Sequence, residues 1–362
     1  MSGVRVAVAD DSSFLRKAMA RMLAGEPGIE LVGSAPCGEE LLANLERWSP
    51  DAVILDLSMP GMGGLATLDQ IMARRPIPVI ILSTHSRRGA PQTIEALHRG
   101  AMDFLDKQQF SLVDFDALRH ALVGKIREVT AAGSAAARAP SPASAPPLVT
   151  AAVKPRGGVY DAVFVGASTG GPLTIETILR ALDRGVPVPL LVVQHMPAGF
   201  TRAFADRLNA YLALAVREPA DGEPLLPGTV YIAPGGLHLR ITRDRGDSRV
   251  LRASLSLQPE SAPHRPSVDV LFASAAAVLA ERSIAILLTG MGQDGAAGMV
   301  QLAQLGAHTI AQDESTSVIF GMPRAAIVAG GARETLPLPA IASRLQQLLA
   351  EPEGLSDHHG QH

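Results

Sequence analysis

A serine in a Gly-x-Ser-x-Gly motif is the first residue whose setting could support catalysis. Ser168 lies between Gly166 and Gly170, after the apolar run 163–165 and before a helical pattern that starts at Pro172. A serine on such a strand-to-helix turn is held out of the sheet, and the first N–H groups of the helix can face an acyl oxyanion. The alternative is a glycine-rich turn that only connects two elements or cradles a phosphate. The motif makes Ser168 a candidate nucleophile.

Two further side chains could supply the groups that a serine nucleophile needs. His195 follows the apolar run 188–194, and Asp294 follows the run 284–289. A base must take the serine proton, and a carboxylate must fix the tautomer of that base. Because the carboxyl ends of parallel strands meet at one edge of a sheet, we expect the three side chains to meet there. The alternatives are that His195 only ends its strand and that Asp294 only caps the next helix.

The order of these residues along the chain disfavours an ordinary lipase or esterase. The α/β hydrolases share the Gly-x-Ser-x-Gly motif, but their order is serine, acid and then histidine. In this chain His195 precedes Asp294. His308 and the histidines near the C-terminus have no comparable surroundings, so we expect none of them to be a late catalytic base.

A second set of polar residues follows the strands of the N-terminal third. The apolar runs are residues 4–10, 31–35, 51–57, 78–84 and 103–107, and the amphipathic stretches lie near 13–24, 39–48, 64–74, 92–99 and 111–129. This alternation predicts a parallel (βα)5 sheet with right-handed crossovers. The polar residues at the strand ends are Asp10, Asp11, Asp56, Ser83 and Lys107. Three carboxylates in one crevice suit a hard cation such as Mg²⁺, and the hydroxyl and the lysine suit a phosphoryl group. Helix capping is the alternative for either of the first two aspartates alone.

Residues 1–125 resemble a two-component receiver domain, which has a flavodoxin-like fold. The resemblance is carried by Ala9-Asp-Asp11, Asp56-Leu-Ser-Met-Pro-Gly61, Ser83 and Lys107. It implies that Asp56 accepts a phosphoryl group from a chemotaxis-type histidine kinase. It also implies a Mg²⁺ ion held by Asp10, Asp11, Asp56 and the carbonyl of Ser58, and sensing of the phosphoryl group by Ser83, Phe104 and Lys107. Receivers usually carry a proline after the lysine, whereas this chain has Gln108, so that loop is either trans or strained.

The remaining chain divides by composition. Residues 126–157 are rich in alanine and proline and poor in large apolar side chains, which predicts a semi-extended linker. Residues 158–350 predict a doubly wound, mostly parallel α/β domain in which Ser267 caps a helix. Residues 351–362 are expected to form a disordered tail.

The second domain resembles the catalytic domain of bacterial chemotaxis protein-glutamate methylesterases/glutaminases. The matching motifs are Val165-Gly-Ala-Ser-Thr-Gly-Gly171, Val193-Gln-His-Met-Pro197, Tyr231-Ile-Ala-Pro-Gly-Gly-Leu-His238, His264-Arg-Pro-Ser-Val-Asp269, Leu288-Thr-Gly-Met-Gly-Gln-Asp-Gly295 and Phe320-Gly-Met-Pro323. The resemblance implies a nucleophile, base and acid at Ser168, His195 and Asp294, an oxyanion hole from the N–H groups of Thr169 and Met291, and no cofactor in this domain.

The resemblance also implies the substrates, which are methylated chemoreceptors. The enzyme would remove methyl groups from glutamyl methyl esters and deamidate glutamines. The stretches 234–236 and 264–265 are expected to line the substrate groove, the alternatives being a tight turn and a helix lead-in. A response regulator whose second domain only binds a partner is the alternative function, but intact serine, histidine and aspartate candidates argue against it.

The composition sets the remaining limits. The 362 residues suggest two domains, and a hydrophobic content of 47% is ample for two cores. A net charge of −3 and the lack of a basic recognition helix disfavour nucleic-acid binding. The single cysteine, Cys37, permits no internal disulfide and predicts a reducing compartment. No signal peptide or membrane-length apolar run is evident, so we expect a cytoplasmic protein with no direct membrane insertion.

Overall fold

The computed structural model describes residues 3–83, 89–107, 115–136, 160–182 and 186–350. Within these ranges the chain forms two parallel sheets with packed helices, one before residue 137 and one after residue 159. The predicted α/β class with two domains is therefore confirmed. Three predictions fall outside the described residues: the geometry of the Lys107–Gln108 peptide, most of the linker, and the tail 351–362.

The N-terminal domain alternates strands and helices as the sequence predicts. Its strands are β1 Val4–Ala9, β2 Ile29–Ala35, β3 Ala52–Asp56, β4 Val79–Ser83 and β5 Asp103–Asp106. Its helices are α1 Ser13–Leu23, α2 Gly38–Trp48, α3 Gly63–Arg74, α4 Gly89–His98 and α5 Phe115–Ala136. In the described chain the strands pair in the order β2-β1-β3-β4-β5, all parallel.

Helices cover both faces of this sheet, so the side chains on both faces of each strand are buried. For this reason the strands are continuous hydrophobic runs. Successive residues of a strand face opposite sides. Val6 and Val8 of β1 therefore join one cluster with residues of α1 and α5, and Ala7 joins another with residues of α2, α3 and α4. This packing fixes the strands, so the polar residues that follow them share one edge of the sheet.

Helix α5 is longer than predicted. The amphipathic pattern predicts that the helix ends at 129, and the composition predicts a linker from 126. In the structure α5 continues to Ala136. Ile126 and Val129 are fully buried in the receiver core, which holds this part of the helix in place. The residues that follow are mostly alanine, the best helix former, so the helix propagates beyond its last buried contacts.

The C-terminal domain is built on a larger sheet. Its strands are β6 Ala162–Ala167, β7 Leu190–Gln194, β8 Ala215–Arg217, β9 Thr229–Ile232, β12 Ser283–Leu287, β13 His308–Gln312 and β14 Glu334–Leu336, while β10 His238–Arg243 and β11 Leu251–Ser256 form a separate antiparallel hairpin. Across the described residues the parallel order is β14-β13-β12-β6-β7-β9-β8. The order reverses between β6 and β12, and such a switch point opens a crevice at the carboxyl ends of the strands.

The helices of this domain follow the prediction with one clear difference. They are α6 Gly171–Ala181, α7 Phe200–Tyr211, α8 Val268–Val278, α9 Ala296–Gln304, α10 Met322–Val328 and α11 Leu338–Leu349. Helix α10 starts only at Met322, although the apolar pattern of the chain begins near residue 317. The preceding residues form a loop bound to Gly290, whose N–H donates to Ile319 O at 3.0 Å and whose carbonyl accepts from Gly321 N at 3.1 Å. Strand β14 was not predicted.

The receiver domain docks on the carboxyl edge of the C-terminal sheet. Helix α4 packs against α6 and α7. The ring centroids of Phe104, on β5, and Phe200, at the start of α7, lie 4.5 Å apart. Glu95 and Arg207 form an ion pair across the boundary, and His98 Nδ1 lies 3.2 Å from Glu176 Oε2. Apolar packing and polar contacts together hold the two domains against each other.

None of the helices in the described part of the chain is both long and apolar enough to cross a membrane.

The first glycine of the serine motif allows α8 to pack closely on β6. An ideal Cβ at Gly166 would lie 2.3 Å from Val268 Cγ1 and 3.0 Å from Leu287 Cδ1. We expect Gly166→Ala to lower the free energy of unfolding by about 1–3 kcal/mol, the usual cost of overpacking a core, in urea denaturation followed by circular dichroism.

Gly124→Ala, within α5, is the matched control. Its Cβ would meet only Glu128 Oε1 at 3.7 Å, an ordinary contact, so stability should be unchanged or higher. Equal stability of the two variants would contradict the close packing of α8 on β6.

Candidate active site and phosphoacceptor site

Ser168 is held on the turn between β6 and α6. Its N–H donates to Thr289 O at 3.0 Å, and its carbonyl accepts from Gly171 N at 2.8 Å and from Gln194 Nε2 at 2.9 Å. Gly170 caps the helix with φ of 77°, a left-handed conformation that glycine adopts without strain. The nucleophile candidate therefore stands at the end of β6 with its backbone fixed from three sides.

His195 and Asp294 meet as the sequence predicts. His195 follows β7, and its Nε2 lies 2.7 Å from Oδ2 of Asp294, which lies in the loop after β12. Each side chain is only 8% exposed. Nδ1 of His195 is buried and has no hydrogen-bond partner within the described residues. An Nε2–H tautomer that donates to the carboxylate would leave the Nδ1 lone pair available to accept a proton.

The Asp294 carboxylate is fixed by the first turn of α8. Its Oδ1 accepts from Ser267 Oγ at 2.9 Å and Asp269 N at 3.0 Å, and its Oδ2 accepts from Val268 N at 2.7 Å. Burial alone would raise the pKa of Asp294. The hydrogen bond and charge of His195, together with the N–H groups of the helix, outweigh burial and lower the pKa to about 2. Asp294 is therefore ionised at neutral pH.

These contacts correct the alternative that Asp294 only caps the helix after it. The N-cap of α9 is Gly295, and Asp294 instead binds the N-terminus of α8, an element from 25 residues upstream in the chain. The sequence predicted Ser267 only as the cap of α8, a role that its bond to Val270 N confirms. Its second bond, to Asp294, was missed because it depends on how α8 and α9 pack.

His264 and Gln194 are two further residues beside the candidate base. The rings of His264 and His195 are stacked, with centroids 4.1 Å apart and an interplanar angle of 19°. Gln194 is 2% exposed, and its side-chain amide N–H donates a hydrogen bond to the Ser168 carbonyl. The sequence placed residues 264–265 in a substrate groove, and no sequence signal indicated a ring stack.

Two backbone donors lie near the serine. No hydrogen bond from the N–H of Thr169 or Met291 is present among the described residues, so both donors are available. Gly290, just before Met291, approaches Ser168 so closely that an ideal Cβ would lie 2.7 Å from Ser168 Cβ. The loop after β12 thus passes directly beside the serine.

The receiver domain closes the space above Ser168. The cavity there is lined by residues of both domains: Leu97, Met102, Asp103, Phe104, Ser168, Thr169, Gly170, Pro172, Gln194, His195 and Met196. Its free volume is about 10 Å³, roughly the room of one water molecule. Thr169 Oγ1 donates to Asp103 Oδ2 of the receiver at 2.8 Å. In this conformation residues of the N-terminal domain occupy much of the space beside the serine.

The receiver carries an acidic cluster at the carboxyl ends of its strands. Ligand oxygens of Asp10, Asp11 and Asp56 lie within 4.8 Å of one another. Lys107 Nζ lies 2.9 Å from Asp10 Oδ2 and 2.6 Å from Asp56 Oδ2. Burial raises the pKa of Asp10, against the opposing effect of Lys107. Burial lowers the pKa of Lys107, but the two carboxylates outweigh it and raise that pKa.

The other predicted receiver residues surround this cluster. Ser58 N donates to Asp56 Oδ1 at 3.0 Å, so Ser58 lies beside the candidate phosphoacceptor. Ser83 is buried at the end of β4 and hydrogen-bonds Thr93 on α4. Phe104 is 7% exposed, but the surface that covers it includes Phe200 of the other domain. The structure therefore places this predicted phosphoryl-sensing residue in the contact between the domains.

The chain matches two domain families. Residues 163–345 match the model of the CheB methylesterase domain, and residues 6–122 match that of the response regulator receiver domain. The solved CheB methylesterase catalytic domain of Thermotoga maritima is 40% identical with a TM-score of 0.50, and the match covers 52% of this chain and 98% of that one.

Some relatives match this chain over almost its whole length. The protein-glutamate methylesterase/protein-glutamine glutaminase of Geobacillus kaustophilus (strain HTA426) is 42% identical over 355 residues, 97% of this chain and 100% of that one. The protein of the same name from Symbiobacterium thermophilum is 40% identical over 359 residues, 96% and 98% of the two chains. This chain, in which a receiver domain precedes a CheB methylesterase domain, belongs to the family of protein-glutamate methylesterases/protein-glutamine glutaminases.

Proposed function

We propose that this protein hydrolyses glutamyl methyl esters on chemoreceptors, and deamidates glutamines there, with Ser168 as nucleophile, His195 as base and Asp294 as the acid that orients the base. One observation carries the proposal. His195 is bound through Nε2 to a fixed carboxylate, while its buried Nδ1 is left without a partner and the ring lines the same cavity as Ser168. This is the arrangement that a serine hydrolase needs.

The proposed reaction proceeds in two halves. Ser168 Oγ attacks the ester carbonyl carbon and gives its proton to His195 Nδ1, and the carbonyl oxygen becomes an oxyanion that the N–H groups of Thr169 and Met291 stabilise. The C–O bond to the methoxy group breaks, and methanol leaves with the proton from His195. Water then adds to the acyl-serine by the same proton route and releases the glutamate. With a glutamine substrate the first leaving group is ammonia.

Asp294 stabilises the charged form of the base. When Ser168 gives up its proton, His195 becomes an imidazolium, and a carboxylate 2.7 Å from Nε2 stabilises that positive charge. Because the pKa of Asp294 is lowered to about 2, the carboxylate remains ionised at every pH at which such an enzyme works. Its bonds to α8 also keep it from turning away from His195.

For the receiver we propose that Asp56 accepts a phosphoryl group from a chemotaxis-type histidine kinase. The residues fit a divalent cation: three carboxylates have ligand oxygens within 4.8 Å of one another, and they face a single lysine, which pairs with Oδ2 of both Asp10 and Asp56. Asp10, Asp11, Asp56 and the Ser58 carbonyl would hold Mg²⁺, which when bound offsets the negative charge of the phosphoryl oxygens. Lys107 and Ser83 would bind those oxygens.

We also propose that the receiver inhibits the enzyme by covering Ser168 and that phosphorylation weakens this cover. Phe104 supports this link because it belongs to the predicted phosphoryl-sensing set and also packs on Phe200. Asp103, its neighbour, accepts a hydrogen bond from Thr169, next to the nucleophile. A change at the phosphoacceptor that moves β5 would therefore act on both contacts. A cytoplasmic location, the lack of nucleic-acid and membrane partners, and a catalytic domain without a cofactor stay predictions.

Ser168→Ala should lower the rate of methanol release from methylated receptor by at least about 10³-fold, because it removes the nucleophile and almost no packing. His195→Ala should be about as damaging, and Asp294→Ala less so, because the three act as a unit. Ser343→Ala, an exposed serine on α11, is the control and should be unaffected. Near-normal turnover by the Ser168 variant would remove it from the mechanism.

Asp56→Ala should abolish activation by a small phosphodonor with Mg²⁺ and leave the basal rate of methanol release nearly unchanged, because Asp56 and Ser168 lie in different domains. Mass spectrometry of the treated protein locates the phosphoryl group. Asp116→Asn, an exposed carboxylate on α5, should keep normal activation. A phosphoryl group on another residue of the wild-type protein would refute the assignment.

Deletion of residues 1–157 should raise the basal rate above that of the unphosphorylated full-length protein, by roughly 5- to 150-fold if the inhibitory coupling has the usual strength. The assay is again methanol release. If the isolated domain is no faster, the cover is not inhibitory, and activation must come from contacts that the phosphorylated receiver makes.

The same expectation can be tested in the full chain. Arg207→Glu places two carboxylates together across the domain boundary and should also raise the basal rate, and adding Glu95→Arg should lower it again. Arg202→Glu is the control: Arg202 lies on the same helix, and within the described part of the chain its ion pair is with Asp206, so the rate should be unchanged.

A further inference from the structure

His195 and His264 form a stacked pair of rings at the candidate base. The two rings are nearly parallel, 19° apart in plane, and their centroids are 4.1 Å apart. At this distance the faces of the rings are in van der Waals contact. His264 is exposed to solvent, whereas the side chain of His195 is only 8% exposed. His264 therefore forms the outer side of the stack. His264 therefore covers a face of the base.

His264 belongs to the segment that also fixes the acid. Ser267, Val268 and Asp269, which hold the Asp294 carboxylate, follow it within five residues. One short stretch of chain thus contacts the acid through hydrogen bonds and the base through a ring face. Any shift of this stretch would move both partners of the bond between His195 and Asp294.

The surroundings of His264 disfavour protonation of its ring. Desolvation by the protein packed on it lowers the pKa of His264, and the charges of His195 and of Lys125, on α5 of the receiver, lower it further, while Asp294 opposes this. Arg265 is adjacent in the chain. A neutral aromatic face attracts a cation that forms against it, whereas a protonated His264 would repel one.

We propose that His264 is a positioning residue for ester hydrolysis: its ring, stacked on His195, fixes the plane of the base and provides the surface on which the imidazolium forms. This rests on the proposed role of His195. In this role the ring acts through His195. A residue that only lined the substrate groove would affect substrate binding, whereas a ring that supports the imidazolium affects the chemical step.

The experiment compares four variants in the full-length protein activated with a phosphodonor and Mg²⁺. His264→Ala and His264→Gln remove the ring and should lower kcat for methanol release roughly tenfold, with KM changed by less than about threefold. His264→Phe keeps a neutral ring face and should retain kcat within about threefold. Thermal unfolding of each variant, compared with that of wild type, separates these effects from loss of folding.

His264→Arg is the electrostatic variant, and its pH–rate profile is the decisive measurement. A fixed positive charge against His195 disfavours protonation of the base. The acid limb of the profile should therefore move to lower pH, while kcat on the plateau should fall below that of His264→Ala because the imidazolium is repelled. A residue with only a structural role would lower the plateau without moving the acid limb.

A second readout does not depend on turnover. In the Ser168→Ala background, the proton between His195 Nε2 and Asp294 should give a low-field NMR signal that exchanges with water faster after His264→Ala than after His264→Phe. Equal kcat in the Ala and wild-type proteins, equal loss in Ala and Phe, or a change confined to KM would each overturn the proposal. Activity that survives Ser168→Ala would instead reject the catalytic assignment itself.

Discussion

The hydrogen bond between His195 and Asp294 is the interaction on which the rest of the catalytic domain depends. A carboxylate this deeply buried is unfavourable unless donors surround it, and here the first turn of α8 and the imidazole supply four. These donors reach Asp294 because β7, the loop after β12 and the start of α8 meet at one point. Ser168 reaches the same point because β6 lies between β7 and β12 in the sheet.

Docking of the receiver imposes a second constraint, because both domains present their functional edges to each other. The proposed phosphoacceptor lies at the end of β3, and β5, two strands away, carries Asp103 and Phe104 into the contact with the catalytic domain. Asp56 and the domain contact are therefore separated by the width of two strands. Hydrogen bonds and ring contacts of this kind are short-ranged, so a small displacement of β5 is sufficient to break them.

The sequence predicted the residues that its local pattern places, and it failed where distant segments meet. Ser168, His195 and Asp294 could be found because each follows a buried strand, and strand ends converge in parallel sheets. The bond from Ser267 to Asp294 and the His264 stack depend on how α8 packs, which no local pattern encodes. The end of α5 was misjudged because the alanines after Val129 were taken as linker, although alanine continues a helix that is already anchored. The contact of Asp103 with Thr169 joins two domains and has no signature in either.

The narrow space beside Ser168 makes the serine a chemical reporter of domain opening. The cavity beside Ser168 has a free volume of about 10 Å³, so we expect a serine-reactive reagent larger than water to react faster once the receiver moves away. The rate at which a serine-reactive phosphonate labels the protein is then proportional to the fraction of molecules that are open, if labelling is slow compared with closing. The labelling rate therefore reports the equilibrium between the closed and open conformations. The measurement needs one reagent and no receptor, kinase or substrate.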